Sequence, residues 1–226
     1  MAAITLGKRR PIRHFLRRNE ETNVMTKKEI KGFFKAIRDS EIHEIRELVN
    51  SNDSYLTVCN VSPPKKDDGQ SGLQVAFKTG NFEIAEFLIE RGADVNFMET
   101  SEVSEWRAPV LHDCIRATIF NSYTLQKDTS NFDRAFALLT IILGKNADPN
   151  AIDSLGNTCL LRAILDARQM IDNPKADLSD GILIEQLQRV FGSLIKAGAD
   201  PKSASDGRES AEYFLENYGL KEYDFW

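Results

Sequence analysis

The chain has 226 residues, a formal net charge of −5 and a hydrophobic fraction of 42%. No apolar stretch approaches the roughly 18 residues of a membrane-spanning helix, and apolar residues precede charge at the start of the sequence, the reverse of a cleavable secretory signal. We therefore expect a cytoplasmic protein without a transmembrane segment, or one exported by a route that needs no cleavable signal peptide.

The first 28 residues are predicted to form a basic N-terminal arm. Residues 1–19 hold six basic residues and no acidic one, so the remainder carries 23 basic and 34 acidic residues. Such an arm suits nucleic acid, an acidic membrane or a negative protein surface. Because Ile12, Phe15 and Leu16 lie at helical spacing, docking of the arm on its own body is an equally open alternative. The acidic remainder disfavours nucleic-acid binding by the rest of the chain.

Helical periodicity begins near residue 29 and recurs along the chain. The first such segment, 33–52, places these apolar residues on an inward face: Ala36, Ile37, Ile42, Ile45, Leu48 and Val49. Later segments have the same character, at 82–90, 132–143 and 187–195. In 82–90 the apolar face lies opposite three glutamates, which is typical of an amphipathic helix at a protein surface.

A six-residue phrase follows each of the three later helical segments. The copies read RGADVN at 91–96, KNADPN at 145–150 and AGADPK at 197–202. Gly92, Asn146 and Gly198 are expected just past a helix end, in the left-handed conformation that glycine and asparagine adopt most easily. A phrase that recurs after each helix indicates one unit that was copied and stacked.

The segment DSLGNTCLLRA at 153–163 begins another helix, with a turn and a hydroxyl cap ahead of apolar residues. Together with the recurring phrase it resembles the ankyrin repeat, whose pattern is D-x-x-G-x-T-P-L-H-x-A-A followed by a second helix and G-A-D-V-N. Cys159 replaces the usual Pro and Leu161 the usual His, whereas His112 occupies the motif's histidine position. The resemblance covers about residues 29–220 and suggests a small bacterial-type ankyrin protein.

The resemblance implies an all-α fold, an ankyrin solenoid of helix-turn-helix units with short β-hairpin loops. The predicted parts are a basic arm, an ankyrin repeat domain at 29–220 and a C-terminal tail at 221–226. We divide the repeat domain into about five units, 33–52, 69–96, 107–150, 153–201 and 206–220.

Two neighbouring units are longer than the family pattern. The additional residues fall between first and second helices, at about 118–131 and 168–183. Their apolar residues are Ile119, Phe120, Tyr123 and Leu125 in the first insertion, and Met170, Ile171, Leu178, Ile182 and Leu183 in the second. Two interpretations are open: longer helix pairs that bury these residues mutually, or an additional wall for a partner. The polar tips at 126–128 and 172–175 are further candidates for ligand contact.

The hairpin ahead of the third unit is also long, with a tip at residues 97–106 that we call the long hairpin. Its aromatic and sulfur-containing residues lie among three glutamates, which resembles an interface anchor inside a polar rim. The alternative is that Trp106 folds back onto Phe82 or Pro109. The resemblance places other exposed positions on first helices and on a second hairpin. The candidate partner-binding residues are Phe97, Met98, Glu102, Glu105, Trp106, Lys78, Thr79, Arg116, Ser154, Leu155, Asn157 and Asp166, with Ala117 and Leu165 at equivalent positions.

Catalysis and metal binding are disfavoured by the residues present. Cys59, Cys114 and Cys159 are far apart and lack metal-ligand spacing, so we interpret the last two as core residues. His112, Asp113 and Cys114 are consecutive and point in different directions on a helix. We expect no catalytic residues, no metal and no cofactor.

The predicted function is non-enzymatic binding of a protein partner through hairpin tips and first helices. Two alternatives are a cognate inhibitor of a toxin, because an acidic body suits a basic enzyme, and an exported effector for which the basic arm is the targeting element.

Overall fold

The computed structural model describes residues 25–61, 67–122 and 128–226. Regular secondary structure in these ranges is helical, which confirms the all-α class. The α-helices are α1 (Lys27–Arg38), α2 (Ile42–Ser51), α3 (Gly72–Lys78), α4 (Phe82–Glu90), α5 (Val110–Phe120), α6 (Ser130–Gly144), α7 (Cys159–Ile171), α8 (Ile182–Lys196) and α9 (Ala211–Asn217), with 3₁₀ helices at Asp53–Leu56 and Leu220–Tyr223. Residues 1–24 of the predicted arm lie outside the described residues, whereas Thr26 caps α1 and Lys27 and Lys28 belong to it.

The helices form two rows. The first helices α1, α3, α5, α7 and α9 pack side by side, and the second helices α2, α4, α6 and α8 form the other row. The apolar core is continuous from Phe33 in the first unit to Phe225 at the far end. A stack of helix pairs, each buried against its neighbours, is the architecture of a helical repeat solenoid.

The β-hairpin loops are shorter than the repeat pattern implies. In the described residues they consist of four isolated antiparallel pairs: Cys59 with Ser71, Met98 with Pro109, Ile152 with Thr158, and Ser205 with Arg208. Most of the first helices begin with a hydroxyl cap, and two of the capping residues, Ser71 and Thr158, are themselves members of these pairs. Ser71 and Gln74 form a reciprocal capping box on α3, and Thr158 caps α7.

Each conserved letter of the recurring phrase has a structural role. Gly92, Asn146 and Gly198 have φ values of 92°, 63° and 102°, which confirms the predicted left-handed positions. The next residue returns a backbone hydrogen bond across the helix end, as in Ala93 N–H to Leu88 O at 2.9 Å. Asp94 then accepts the backbone N–H of Asn96 at 2.9 Å, which closes the turn.

The asparagine at the end of the phrase joins one copy to the next. Asn96 donates its amide to the carbonyl of Asn146 at 3.0 Å and accepts the backbone N–H of Asp148 at 2.8 Å. Asn150 makes the same pair of bonds to Gly198 and Asp200, at 2.9 Å each. The third copy has Lys202 at this position.

The insertions mainly lengthen helices. The helices α5 and α6 have 11 and 15 residues and α7 and α8 have 13 and 15, against 7 and 9 for α3 and α4. Ile119, Met170 and Leu183 are buried, and α8 packs on α5, α6 and α7. This favours mutual packing of the apolar residues. Tyr123, Leu125 and the tip residues 126–127 lie outside the described ranges, whereas 172–175 are exposed.

Residues 221–226, which we assigned to a tail, pack onto the last units. The Phe225 ring stacks on Phe191 with centroids 4.4 Å apart, and the Trp226 ring lies 5.6 Å from Phe191. Gln188 on α8 donates to the backbone carbonyl of Tyr223 at 2.8 Å. The segment therefore covers apolar surface that the single helix α9 leaves exposed.

Candidate functional site

The exposed side chains of the first helices and hairpin tips form one surface, which we call the first-helix face. Lys78 and Thr79 lie at the end of α3, and Arg116 lies on α5 with about a third of its side chain exposed. Met98, Glu102 and Glu105 are exposed in the long hairpin, and Ser154 and Leu155 are exposed in the next hairpin. Leu155 is 52% exposed, so this face offers apolar as well as charged surface.

Trp106 is held in place by a polar contact. The sequence-based interpretations, an interface anchor or packing on Phe82 or Pro109, did not include it. The indole N–H of Trp106 donates to Oδ2 of Asp153 at 2.8 Å, which ties the long hairpin to the start of the following unit. The Nζ of Lys78 and the Cζ of Arg116 lie 5.6 and 5.3 Å from its ring centroid. Cations at this distance interact favourably with the face of an aromatic ring. The half-buried Trp106 therefore links two hairpins and two first helices.

Other residues of the long hairpin face inward, contrary to the prediction. Phe97 is half-buried and packs on the core, and its carbonyl accepts the backbone N–H of Val110 at 3.0 Å. Glu99, one of the three predicted rim glutamates, is only 3% exposed, and burial raises its pKa. The outward surface of the hairpin is consequently smaller than the sequence suggested, and it comprises mainly Met98, Glu102, Val103, Glu105 and the edge of Trp106.

Ser154 fastens the two neighbouring hairpins together. Its hydroxyl donates to the carbonyl of Glu105 at 2.8 Å and accepts the backbone N–H of Arg107 at 2.9 Å. The backbone N–H of Ser154 in turn donates to the Arg107 carbonyl at 2.9 Å. The exposed Leu155 is therefore presented on a backbone fixed by three hydrogen bonds.

Three residues that were predicted to face solvent are buried. Asp166 is fully buried and accepts two hydrogen bonds from Arg162, at 2.6 and 3.1 Å, while its Oδ2 lies 3.7 Å from Nε of Arg116. Asn157 is 2% exposed because its amide donates to Oδ2 of Asp153 at 2.7 Å. Ala117 is 8% exposed, and Leu165 is half-buried. Ala117 lies on α5 and Asp166 on α7, and the close packing of these two helices turns both positions inward.

A groove of about 460 Å³ opens on this face between the ends of α3 and α5. We call it the Lys78–Arg116 groove; its lining includes Phe77, Lys78, Thr79, Asp113, Arg116 and Phe120. Asp113 lies at its base, 2% exposed, and accepts a hydrogen bond from Nε2 of Gln74 at 3.0 Å. Sequence reasoning missed Asp113 and Asp153 as organising residues, because their roles depend on partners 39 and 47 positions away.

His112 has the structural role that the resemblance implied. Its Nε2 lies 3.3 Å from the carbonyl of Ala151, and its Nδ1 lies 4.0 Å from Oδ2 of Asp153. Burial lowers the pKa of His112 to about 4, so the ring is neutral near pH 7. Burial also raises the pKa of the thiols of Cys114 and Cys159, which makes them poor nucleophiles. Among the described residues no group of three or more His, Cys, Asp or Glu side chains is arranged to hold a metal.

The stacked helix pairs and recurring helix-end turns define the class of the protein as a helical repeat solenoid. The ankyrin repeat family model matches residues 68–99, which comprise the α3–α4 pair and its flanking turns. The chain therefore contains an ankyrin repeat at these residues. A search of the curated proteins found no match. None of the helices in the described ranges is long and apolar enough to cross a bilayer.

Asp113 predicts a specific pH dependence of stability. Burial raises its pKa from 3.8 to about 6, against the opposing effects of Lys78 and Gln74 and with the help of Glu99. A raised folded-state pKa gives stability that is complete below pH 4 and is lost as the pH rises through 6. We expect Asp113→Asn to remove this loss, so its free energy of unfolding relative to the natural protein rises by about 1–3 kcal/mol between pH 4.5 and pH 8.

Urea unfolding at the two pH values measures this change, with Asp206→Asn, at an exposed carboxylate, as the matched control. An unchanged difference between the Asp113→Asn and natural proteins at both pH values would show that Asp113 titrates normally. Burial would then not perturb the carboxyl group of Asp113 at the bottom of the groove.

Proposed function

We propose that this protein binds a partner protein through the first-helix face. Ankyrin repeats are generally protein–protein interaction modules, and the family is typically non-enzymatic. The proposal rests on one observation in particular, the fixing of Trp106 by Asp153 beside Lys78 and Arg116. A rigid aromatic side chain next to cations and an exposed Leu155 has the composition of an interface hot spot.

Rigidity supports this proposal because side chains that are ordered before binding lose less entropy on association. The Asp153 contact orders Trp106, and three hydrogen bonds order the backbone that carries Leu155. Both side chains belong to adjoining hairpins. A partner that lies across these hairpins meets a surface already in its bound arrangement.

Affinity purification from the source cells with quantitative mass spectrometry tests the face. We expect Leu155→Asp to reduce recovery of the partner at least 10-fold, because it places a charge in an apolar contact. The matched control is Ile141→Asp on α6, since Ile141 is a comparably exposed apolar residue (38%) in the row of second helices. Trp106→Ala is expected to weaken recovery as well, with circular dichroism to verify the fold.

Loss of the partner with Ile141→Asp but not with Leu155→Asp would place the interface on the second helices and refute the proposal. The inhibitor and effector alternatives invoke the same face and differ in its occupant. A toxic enzyme among the captured proteins would favour the inhibitor, and a protein of another organism would favour the effector.

A further inference from the structure

The Lys78–Arg116 groove combines two cations with aromatic surface. Lys78 and Arg116 both line it and both lie against the ring of Trp106. The guanidinium of Arg116 also lies 5.6 Å from the ring centroid of Phe120, which is 40% exposed. The groove therefore has a charged side and an apolar side within one opening.

The two cations have hydrogen-bonding capacity to spare. Nζ of Lys78 is 3.9 Å from Oδ1 of Asp113, and Nε of Arg116 is 3.7 Å from Oδ2 of Asp166. These separations exceed the 2.7–3.2 Å of a direct N–H···O bond. Both carboxylate oxygens of Asp166 instead accept hydrogen bonds from Arg162. The carboxylates position the cations electrostatically, and the donors of Lys78 and Arg116 remain available to a ligand in the groove.

The local charge balance favours an anion. The side chains of Lys78 and Arg116 are partly exposed in the groove, whereas the acidic side chains near them, Asp113, Asp166 and Glu99, are almost completely buried. The charge that a ligand in the groove opening meets is therefore mainly positive. A guanidinium presents its donors in the fork geometry that matches a carboxylate. Charge-assisted hydrogen bonds of this kind are stronger than neutral ones.

The acidic remainder of the chain restricts which anion fits. Outside the basic residues 1–19 the chain carries 23 basic and 34 acidic residues, so a polyanion such as nucleic acid or a long acidic tract meets overall repulsion. A single carboxylate needs only the local cations. The exposed ring of Phe120 and the buried ring of Phe77 suit an apolar residue next to that carboxylate.

We infer that the Lys78–Arg116 groove binds a short segment of the partner protein in which one aspartate or glutamate adjoins an apolar residue. The carboxylate contacts Lys78 and Arg116, and the apolar side chain packs on Phe120. This inference rests on the proposed function, since it specifies what the first-helix face recognises.

Selection of random 12-residue peptides displayed on phage, with the full chain as bait, tests this inference. We expect enriched sequences to carry one Asp or Glu within two positions of an aromatic or aliphatic residue. Fluorescence anisotropy with the most enriched labelled peptide then gives its Kd. Lys78→Gln combined with Arg116→Gln should raise that Kd at least 10-fold, whereas Arg134→Gln combined with Lys145→Gln, at exposed residues of α6 and its end, should not.

Replacing the peptide's acidic residue by its amide supplies the other half of a double-mutant cycle. The peptide and protein changes should be strongly non-additive if the carboxylate contacts these cations. Phe120→Ala is a second protein variant. It should raise the Kd of the peptide without lowering the melting temperature of the protein, because Phe120 is exposed.

Failure to enrich any peptide, enrichment without acidic residues, or equal affinity for the natural and doubly substituted proteins would overturn the inference. The proposed function fails separately, when Leu155→Asp leaves partner capture intact. If partner capture requires Leu155 while peptide affinity is unchanged by the Lys78 and Arg116 substitutions, that result would support binding through the first-helix face and reject recognition of an acidic segment in the groove.

Discussion

Replacing Gly69 with alanine is expected to lower the free energy of unfolding by about 3–5 kcal/mol, the range of severe backbone and core substitutions. Gly69 has a φ of +73°, and an added Cβ would lie 2.0 Å from the backbone nitrogen and 2.4 Å from the Cα of Ser101. Backbone atoms cannot move aside as a flexible side chain does. The carbonyl of Gly69 also accepts the N–H of Thr100 at 2.9 Å, so the clash acts where the long hairpin is attached.

Gly92→Ala separates the two causes. Gly92 has a φ of +92°, but an added Cβ would meet nothing within 4 Å. Its substitution introduces left-handed strain alone, about 1–2 kcal/mol. Urea denaturation followed by circular dichroism measures both variants. Equal destabilisation by the two variants would mean that the backbone at Gly69 and the long hairpin move apart easily. The close contact between Gly69 and Ser101 would then be unimportant for attaching the long hairpin.

The second large effect is expected for Phe191→Ala, with a loss of about 3–5 kcal/mol. Phe191 is fully buried in α8 and its ring stacks on Phe225. Truncation removes the surface that the C-terminal segment covers and leaves a cavity beneath it. Phe120→Ala is the matched control, and we expect less than about 1 kcal/mol because Phe120 is 40% exposed.

Hydrogen exchange locates this loss along the chain. Repeat stacks lose structure in units, since each unit contacts only its neighbours. Peptides from α9 and residues 220–226 should lose protection first in Phe191→Ala, while those from α3 and α4 keep theirs. Uniform loss of protection across the described ranges would indicate that the stack unfolds as a single cooperative body.

Local patterns predicted the helices and their ends well, because these depend on residues close in sequence. The left-handed positions of Gly92, Asn146 and Gly198 and the apolar faces of the second helices follow from spacing alone. The unit boundaries and the partner-binding residues stay predictions.

The orientation of face residues was harder to predict, because it depends on long-range partners. Asp166 and Asn157 occupy positions that the family pattern exposes, yet Arg162 and Asp153 draw them into the interior. Glu99 belongs to a polar tip by composition and is buried by the close approach of the preceding hairpin. The contact of Trp106 with Asp153 spans 47 positions, which no periodicity reveals.

The asparagine bonds between successive helix-end turns give the array a polarity. The side chains of Asn96 and Asn150 each bond to the backbone of the following helix-end turn. A unit therefore needs an asparagine at this position to bond to the unit that follows it. Lys202 lacks the amide that both accepts and donates in this arrangement. A unit added after residue 202 therefore requires Lys202→Asn, together with apolar surface on which the new unit can pack. A unit inserted after Asn96 or Asn150 needs no such change, because the asparagine that bonds to the next turn is already present.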